Sequence, residues 1–447
     1  HYFFCGVGGS GMMPLAMIVA ARGARVTGSD RSLDQGRIAD KFAALEQLGI
    51  GLFPQDGSGV EPGQIFVASA AVEESVPDVV AANRLGLERL SRADLLAQLF
   101  NASETRIAIG GTSGKSTVTG MIGWILDQAG RDPTIMNGAV MKNYARPDAP
   151  FASARVGGSD VFVSEVDESD GSIALYTPDI AVLNNVALDH KSMDELRRLF
   201  GDFIGKARVA VVNADNDEAL ALAGGNARTF GFGDRAALRG SDLVERPDGV
   251  DFLANGVRVS LNVPGRHNAS NALAALAAAE AAGVPLAIGA AALAEFAGLR
   301  RRLDLVGSRH GVTVIDDFGH NPDKIGATLD TLHAFPGRLL LMFQPHGYGP
   351  LKLMGDALAE TFRAKLGAED RLFLPDPVYY GGTVDRSAGS DALAKAIGPR
   401  ASHVPARADI GDRLVAEARA GDRILIMGAR DDTLSQFALE ILERLDG

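Results

Sequence analysis

The chain has one cysteine, Cys5, in 447 residues, which excludes an internal disulfide and fits a reducing, cytoplasmic compartment. No segment approaches the ~18 uninterrupted apolar residues of a membrane-spanning helix, so no membrane partner is expected. Basic residues are in deficit: 44 Lys and Arg face 56 Asp and Glu, for a net charge of −12. That balance argues against nucleic acid or an anionic membrane as the main partner. A substrate carrying several phosphates must then be caught by glycine loops and individual Lys or Arg residues. Internal repeats and low-complexity tracts are also lacking. The chain opens at His1 inside an apparent strand, with neither a methionine nor a leader pattern, so a few native residues are expected to precede it.

What is present describes a globular protein of several domains, since 447 residues exceed one ordinary core. Apolar runs of strand length alternate with longer helical patterns, the mark of α/β architecture with parallel sheets. The first unit runs from Tyr2-Phe3-Phe4 through Met12–Ala21 and Arg25-Val26-Thr27 to a strand at Ile65–Ala68, closing near Phe100. After the polar joint Asn101–Glu104, a second unit carries strands at Arg106–Ile109, Val161–Ser164, Ile180–Asn184 and Val209–Asn213. Between Phe230 and Val263, short alternating runs punctuated by Pro247-Asp248-Gly249 and Asn255-Gly256 predict a small antiparallel patch. The alanine-rich Asn268–Ala282 predicts a helix. A third unit begins near Leu303, with strands at Val312–Asp316, Leu339–Phe343, Arg371–Leu374 and Arg423–Met427.

Gly111-Thr112-Ser113-Gly114-Lys115-Ser116, entered from Ile107-Ala108-Ile109 and followed by a helical pattern, is the most telling segment. Strand, glycine turn and helix start aim backbone N–H groups at a polyphosphate, with a lysine to neutralise it and a hydroxyl for Mg²⁺. The full pattern wants a further glycine where Ile109 stands, so this is a shortened variant that points to ATP. Gly6-Val7-Gly8-Gly9-Ser10-Gly11, with Asp30 at the end of the next strand, is a second phosphate-binding turn. Close helix–strand packing also selects such glycines, and a nicotinamide dehydrogenase would use them too, but would leave Lys115 without a task. Glu165-Val166-Asp167-Glu168-Ser169-Asp170 sets carboxylates at a strand end, where Mg²⁺ can be held against phosphates. Asp189-His190 repeats the theme. Asn268 and Asn271 open the alanine-rich helix, Arg300-Arg301-Arg302 precedes the third unit, and Asp316–Pro322 lies just past its first strand.

Taken in order, these pieces resemble the Mur ligases over essentially the whole chain, most of all the branch that joins alanine to UDP-N-acetylmuramate. Gly6–Met12 is similar to that branch's uridine-diphosphate loop, and Ser69-Ala70-Ala71-Val72 with Pro77 to its second nucleotide-side segment. Gly111–Ser116 is similar to the family's G-T-x-G-K-[ST], Glu165–Asp170 to E-A-D-E-S-D, and Asp189-His190 to D-H. Gly265-Arg266-His267-Asn268 with Asn271 matches G-R-H-N-x-x-N, Arg301-Arg302-Leu303 the family's Arg-Arg pair, Asp316–Pro322 is close to D-D-Y-G-H-H-P, and Phe343–His346 to F-Q-P-H.

The resemblance implies three domains: a Rossmann-like UDP-sugar domain over 1–100, an ATPase domain over 101–301, and a Rossmann-like domain over 302–447 that brings the amino acid. It implies an ATP- and Mg²⁺-dependent ligase that activates a carboxylate as an acyl-phosphate for attack by an amine, with large domain closure. Gly8, Gly9, Ser10, Gly11, Met12, Asp30, Ser69 and Ala70 would hold the UDP-linked sugar carboxylate. Gly111, Thr112, Ser113, Gly114, Lys115, Ser116 and Thr117, with Asn268, Asn271, Arg302 and Asp317, would hold ATP. Ser116, Glu165 and His190 would hold metal, and His320 or His346 would assist the amine of a free amino acid or short peptide. Lys206 falls where several members carry a carbamylated lysine, but its spacing suits a solvated side chain.

Departures remain, and two lost arginines fall in a region expected near the amino-acid carboxylate. Gly347-Tyr348-Gly349-Pro350 replaces the branch's Arg-Tyr-Thr-Arg, Asn321 a second histidine, Ala187 a glutamate, and Gly428-Ala429-Arg430-Asp431-Asp432 its G-A-G-N-I-G. The expectation is an amine substrate other than alanine, or alanine held differently.

Overall fold

The computed structural model describes residues 1–69, 72–187, 191–378, 389–429, 431 and 433–446, in two compact units, 1–299 and 300–447. The first unit opens with β1 (Tyr2–Cys5), β2 (Val26–Ser29), β3 (Gly51–Phe53), β4 (Ile65–Ala68) and β5 (Glu88–Ser91). They form a parallel sheet in the order β3-β2-β1-β4-β5. Side-chain alternation explains the apolar run of β1. Phe3 stacks on Phe66 in one layer, while Phe4 joins Met12, Leu15 and Leu95 in the other. The sequence reading placed β1, β2 and β4 but missed β3 and β5. Glu88-Arg89-Leu90-Ser91 is a sheet-edge strand with little apolar content, and Gly51-Leu52-Phe53 is too short to show a period.

The second sheet contains β6 (Thr105–Gly110), β7 (Thr134–Met136), β8 (Ala154–Arg155), β9 (Val161–Glu165), β10 (Ile180–Leu183), β11 (Val209–Asn213), β12 (Ala227–Gly231), β13 (Leu238–Arg246), β14 (Gly249–Ala254) and β15 (Val257–Leu261). Its order is β15-β14-β13-β12-β11-β10-β6-β9-β7-β8. The expected antiparallel patch is β13–β15, which continues the same sheet beyond β12. Asn255 (φ 45°) and Gly256 (φ 82°) make the two-residue turn between β14 and β15. Helices Lys115–Gln128 and Arg266–Ala281 pack on this sheet through Val118, Met121 and Ile122, and Ala269, Ala272 and Leu273.

The core does not divide at Phe100. Phe4, Val7, Leu95 and Leu96 share one buried cluster with Phe162, Tyr176 and Phe200. Phe100, fully buried, sets its ring edge-on to Phe162 at 5.6 Å and to Tyr176 at 5.2 Å.

The second unit holds β16 (Asp304–Arg309), β17 (Val312–Asp317), β18 (Leu339–Gln344), β19 (Arg371–Leu374), β20 (Ala401–His403) and β21 (Arg423–Gly428). The order is β16-β17-β21-β18-β19-β20, with β16 antiparallel at one edge. Every residue of β18 is buried, with Leu339, Leu341 and Phe343 in one layer and Leu340 and Met342 in the other. The fold class is the expected α/β with parallel-dominated sheets.

Phe100→Ala should cost about 3–5 kcal/mol, the usual loss for a buried phenylalanine, and lower the midpoint of denaturant unfolding monitored across residues 1–299. A loss near zero would mean that the two sheets of this unit do not share a core.

Candidate active site

β6 ends between β9 and β10, so Gly110, Glu165 and Leu183 lie side by side at one edge of the sheet. The loop from Gly111 to Gly114 therefore opens where the flanking strands also terminate, the place where parallel sheets bind ligands. Gly114 takes φ 79° as the cap of helix Lys115–Gln128. A side chain there would collide with Asn184 Nδ2 at 2.5 Å and Asn271 Oδ1 at 2.7 Å. Those asparagines are the loop's mould. Asn185 Oδ1 accepts from Thr112 Oγ1 and the Ser113 amide, both at 2.9 Å. Asn185 Nδ2 donates to Ser113 Oγ at 2.8 Å. Asn184 Nδ2 donates to Ser113 O at 3.1 Å and to Asn271 Oδ1 at 2.9 Å. Asn271 in turn donates to Asn268 Oδ1 at 3.1 Å, and Asn268 to Pro264 O at 2.7 Å. Asn271 thus reaches the loop through Asn184, and Asn268 supports Asn271, both of them buried.

The charged and hydroxyl side chains follow. Lys115 Nζ donates to Glu168 Oε2 at 2.7 Å and to Gly111 O at 2.9 Å. Ser116 Oγ donates to Glu165 Oε2 at 2.7 Å, while Thr117 is buried in the same turn. Asn137 fixes the Ser116 carbonyl at 2.9 Å, and the next residue, Gly138, leaves room for the carboxylate. A methyl on Gly138 would sit 2.2 Å from Glu165 Oε1 and 3.6 Å from Ser116 Oγ. For Asp167, burial alone would raise the carboxyl's pKa. The hydroxyl and amide of Ser169, with the charges of Lys115 and Arg92, instead hold it below the usual carboxylate range.

A hydroxyl and a carboxylate converging on one cradle form a hard-oxygen set of the kind Mg²⁺ takes. Asn184 Oδ1, buried beside the loop, has no hydrogen-bond partner among the described residues. Among those residues no three His, Cys, Asp or Glu side chains already form a metal cluster. His190, the third expected ligand, lies outside the described residues, as does Ala70.

The glycine loop after β1 connects that strand to the helix Met12–Ala21. The amides of Gly6 and Val7 donate to Ser29 O at 2.8 and 2.9 Å. The Gly8 amide donates to Asp30 Oδ2 at 2.9 Å, and Met12 begins the helix Met12–Ala21. Gly9, Ser10 and Gly11 complete the turn, where strand order reverses between β1 and β4, with Ser69 half-buried just past β4. Lys206 caps the helix Met193–Gly205 in solvent and donates to Ala174 O at 2.7 Å.

In the second unit, chemistry gathers at the carboxyl ends of β17, β18 and β21. His320 and His346 meet with ring centroids 5.4 Å apart, and His320 Nδ1 lies 3.0 Å from Phe318 O. Arg302 lies over the Phe318 ring at 4.5 Å. The Asp317 carboxylate accepts from the amides of Leu303 and Gly319 at 3.0 Å and from Thr328 Oγ1 at 2.9 Å, so it holds the turn. One residue escaped the sequence reading here. Arg407 donates to Gln344 Oε1 at 3.0 Å and Thr433 Oγ1 at 2.7 Å and pairs with buried Asp431. Arg407 stands 63 residues from Gln344, and no local pattern announces that meeting. Burial works against the Asp431 charge, but Arg407 and Thr433 hold its carboxyl below the usual range.

Comparison with known proteins gives the same answer along the whole chain. Family models match residues 1–104 (Mur ligase family, catalytic domain), 109–279 (Mur ligase middle domain) and 301–430 (Mur ligase, glutamate ligase domain). UDP-N-acetylmuramate–L-alanine ligase of Paracoccus denitrificans is 34% identical over 476 residues, covering 99% of this chain and 96% of that protein. The Streptomyces coelicolor protein of the same name is 35% identical, covering 96% and 95%. Among solved structures, UDP-N-acetylmuramate–alanine ligase from Thermotoga maritima superposes with TM-score 0.81 at 23% identity, covering 100% of this chain and 99% of that one. A murein peptide ligase from Psychrobacter arcticus gives 0.72 at 24%, covering 100% and 98%.

Burial, helped by the charges of Lys324, His346 and Arg302 and opposed by the hydrogen bond to Phe318, pushes the His320 imidazole down to about 4. The unfolded chain then binds this proton more readily than the folded one, so His320 costs stability as pH falls from about 6.5 toward 4. Its NMR titration should have a midpoint near 4, and His320→Gln should flatten that part of the stability–pH curve. A midpoint near 6.5 would contradict the buried, neutral assignment.

Proposed function

The chain belongs to the Mur ligase family, and from that premise we propose an ATP-dependent ligase that joins L-alanine to the carboxylate of UDP-N-acetylmuramate in peptidoglycan precursor synthesis. One observation supports this above the others. Lys115 and Ser116 lead a moulded phosphate loop and each touches a separate carboxylate, Glu168 and Glu165, from the neighbouring strand end. Phosphoryl transfer needs positioning and charge neutralisation more than covalent help, and this arrangement supplies both.

In this reading, residues 1–100 hold the UDP-sugar, 101–301 the nucleotide and 302–447 the amino acid, in a cytoplasmic enzyme. Gly8, Gly9, Ser10, Gly11, Met12 and Asp30, with Ser69 and Ala70, line the acceptor. Ser116, Glu165 and His190 hold Mg²⁺, which supplies charge neutralisation at the phosphates. Lys115 neutralises the phosphate that is transferred, while Asn268 and Asn271 help hold the nucleotide and keep the loop in shape. Arg302 and Asp317 are assigned to the nucleotide by resemblance. A carboxylate oxygen bonds to the terminal phosphorus as ADP departs. The amine then attacks the carbonyl carbon, a C–N bond forms, and the C–O bond to phosphate breaks. His320, neutral at physiological pH, has Nε2 free to accept the proton the amine sheds when Nδ1–H donates to Phe318 O.

Replacement of the branch's two arginines by Gly347 and Pro350 favours alanine held by different groups, with Gln344, Arg407 and Asp431 the nearest built network. The same change keeps a second reading in play, a short peptide as the amine.

Phosphate release should require ATP, Mg²⁺, UDP-N-acetylmuramate and an amine together, and an amino-acid and tripeptide panel scored by product mass identifies that amine. Lys115→Ala should lower kcat by about 10²–10³-fold or more with unchanged unfolding. Near-normal turnover would mean the loop serves another ligand. Gly138→Ala should raise the KM for Mg-ATP by displacing Glu165, and leave the acceptor KM unchanged.

A further inference from the structure

The hydrogen-bond ladder between β10 and β11 stops at Leu183 and Val212. Beyond it, Asn184–Val186 leaves the sheet and runs against the phosphate loop. Two side chains take over from the ladder on the β11 side. Asn213 Nδ2 donates to Asn184 O at 2.9 Å. Asn216 Oδ1 accepts from the Val186 amide at 3.2 Å, and its Nδ2 donates to Val186 O at 3.4 Å. One carboxamide thus meets both polar groups of Val186, as a paired strand residue would. The carboxamides are themselves fixed. Asn213 Oδ1 accepts from the Asp215 amide at 2.9 Å, and Asn216 Oδ1 caps the helix Asp217–Ala221 through the Ala219 amide at 2.8 Å. Capping alone does not call for asparagine, since serine or aspartate serves as well. An ionised aspartate has no donor for the Val186 carbonyl, and a serine hydroxyl ends one bond nearer its own backbone.

Between the two clasped residues sits Asn185. Its side chain bonds Thr112 Oγ1, the Ser113 amide and Ser113 Oγ, and its carbonyl accepts from the Thr112 amide at 3.2 Å. Resting on the reading of that loop as the triphosphate site, we propose that Asn216, seconded by Asn213, is a positioning residue for phosphoryl transfer. It fixes where Asn185 anchors Thr112 and Ser113, and so where the residues that follow, Gly114, Lys115 and Ser116, meet a phosphate. Both asparagines act through Asn185 and not on the nucleotide.

The test uses Asn216→Ser and Asn216→Asp, which retain a helix cap, together with Asn185→Ala and the double variant combining Asn185→Ala with Asn216→Ser. Three quantities are measured on the full chain: Mg-ATP affinity by calorimetry, exchange of the Thr112 amide proton, and unfolding by denaturant. Both Asn216 variants should bind Mg-ATP about 3- to 10-fold more weakly, the range for one lost neutral hydrogen bond, and their Thr112 amide should exchange faster. The Ala219 amide and the unfolding midpoint should stay at their wild-type values, because the cap is kept. The double variant should bind no more weakly than Asn185→Ala alone, since the two side chains act in series. Losses that multiply in the double variant overturn the inference, as does affinity at or above the wild-type level in the Asn216 or Asn185 variants. Equal loosening of Thr112 and Ala219 also overturns it, by marking a purely structural cap. Absence of Mg-ATP binding by the wild type is a different result, which overturns the phosphate-loop reading itself and this inference with it.

Discussion

The ion pair between Lys115 and Glu168 constrains everything around it. The glutamate side chain is 5% exposed and the lysine 20%, at 2.7 Å. A carboxylate so buried cannot lose its partner cheaply; stripping one partner from such a pair costs several kcal/mol. An arriving phosphate therefore cannot simply take the lysine away. The chemistry of the ammonium group resolves the conflict. It carries three donors, and among the described residues two are used, by Glu168 and the Gly111 carbonyl. The third can meet a phosphate oxygen while the first two hold the amine in place. Glu168 thus aims Lys115, and the lysine in turn pairs with the buried carboxylate.

Aim is useful only if the loop holds still, and here register does the work. Leu183 pairs with Gly110 and Ile109 with Glu165, so three adjacent parallel strands end within a residue of one another. Asn184 and Asn185, the first residues past β10, therefore face the loop and fill its backbone groups with amide contacts. Asn271 reaches the same point from a helix 87 residues downstream. The glycine at position 114 is required twice over, by its left-handed backbone and by the asparagines that leave no room for a side chain.

This also marks how far the sequence could be read. Strands with continuous apolar runs, such as Val209–Asn213 and Arg371–Leu374, were placed to the residue because burial on both faces leaves a mark in composition. Sheet-edge strands such as Ala401–His403 and Asp304–Arg309 left none, since half their surface faces water. In the site, local motifs placed Lys115, Ser116 and Glu165 within bonding reach, and His320 beside His346. Asn184, Asn185, Gly138 and Arg407 were not legible as site residues. Each acts on a partner many residues away, and pairing across strands is a tertiary fact that spacing does not carry. Asn268 and Asn271 were found by motif, and in the structure Asn271 is bonded to Asn184 beside the loop and to Asn268.

The same pairing logic reconciles an acidic protein with polyanionic ligands. A bare positive cleft would bind phosphates indiscriminately and repel nothing. In the first unit Lys115 of the phosphate loop instead carries its own carboxylate, Glu168. An anion gains little from long-range attraction at such a site. It must match the donors left over, in their fixed directions, or else sit beside acids with nothing in return. Charge that is locally cancelled and geometrically exposed selects for shape, and a chain of net charge −12 can then hold a triphosphate without becoming a general anion sink. On the proposed function, the acids beside the phosphate loop make its binding selective.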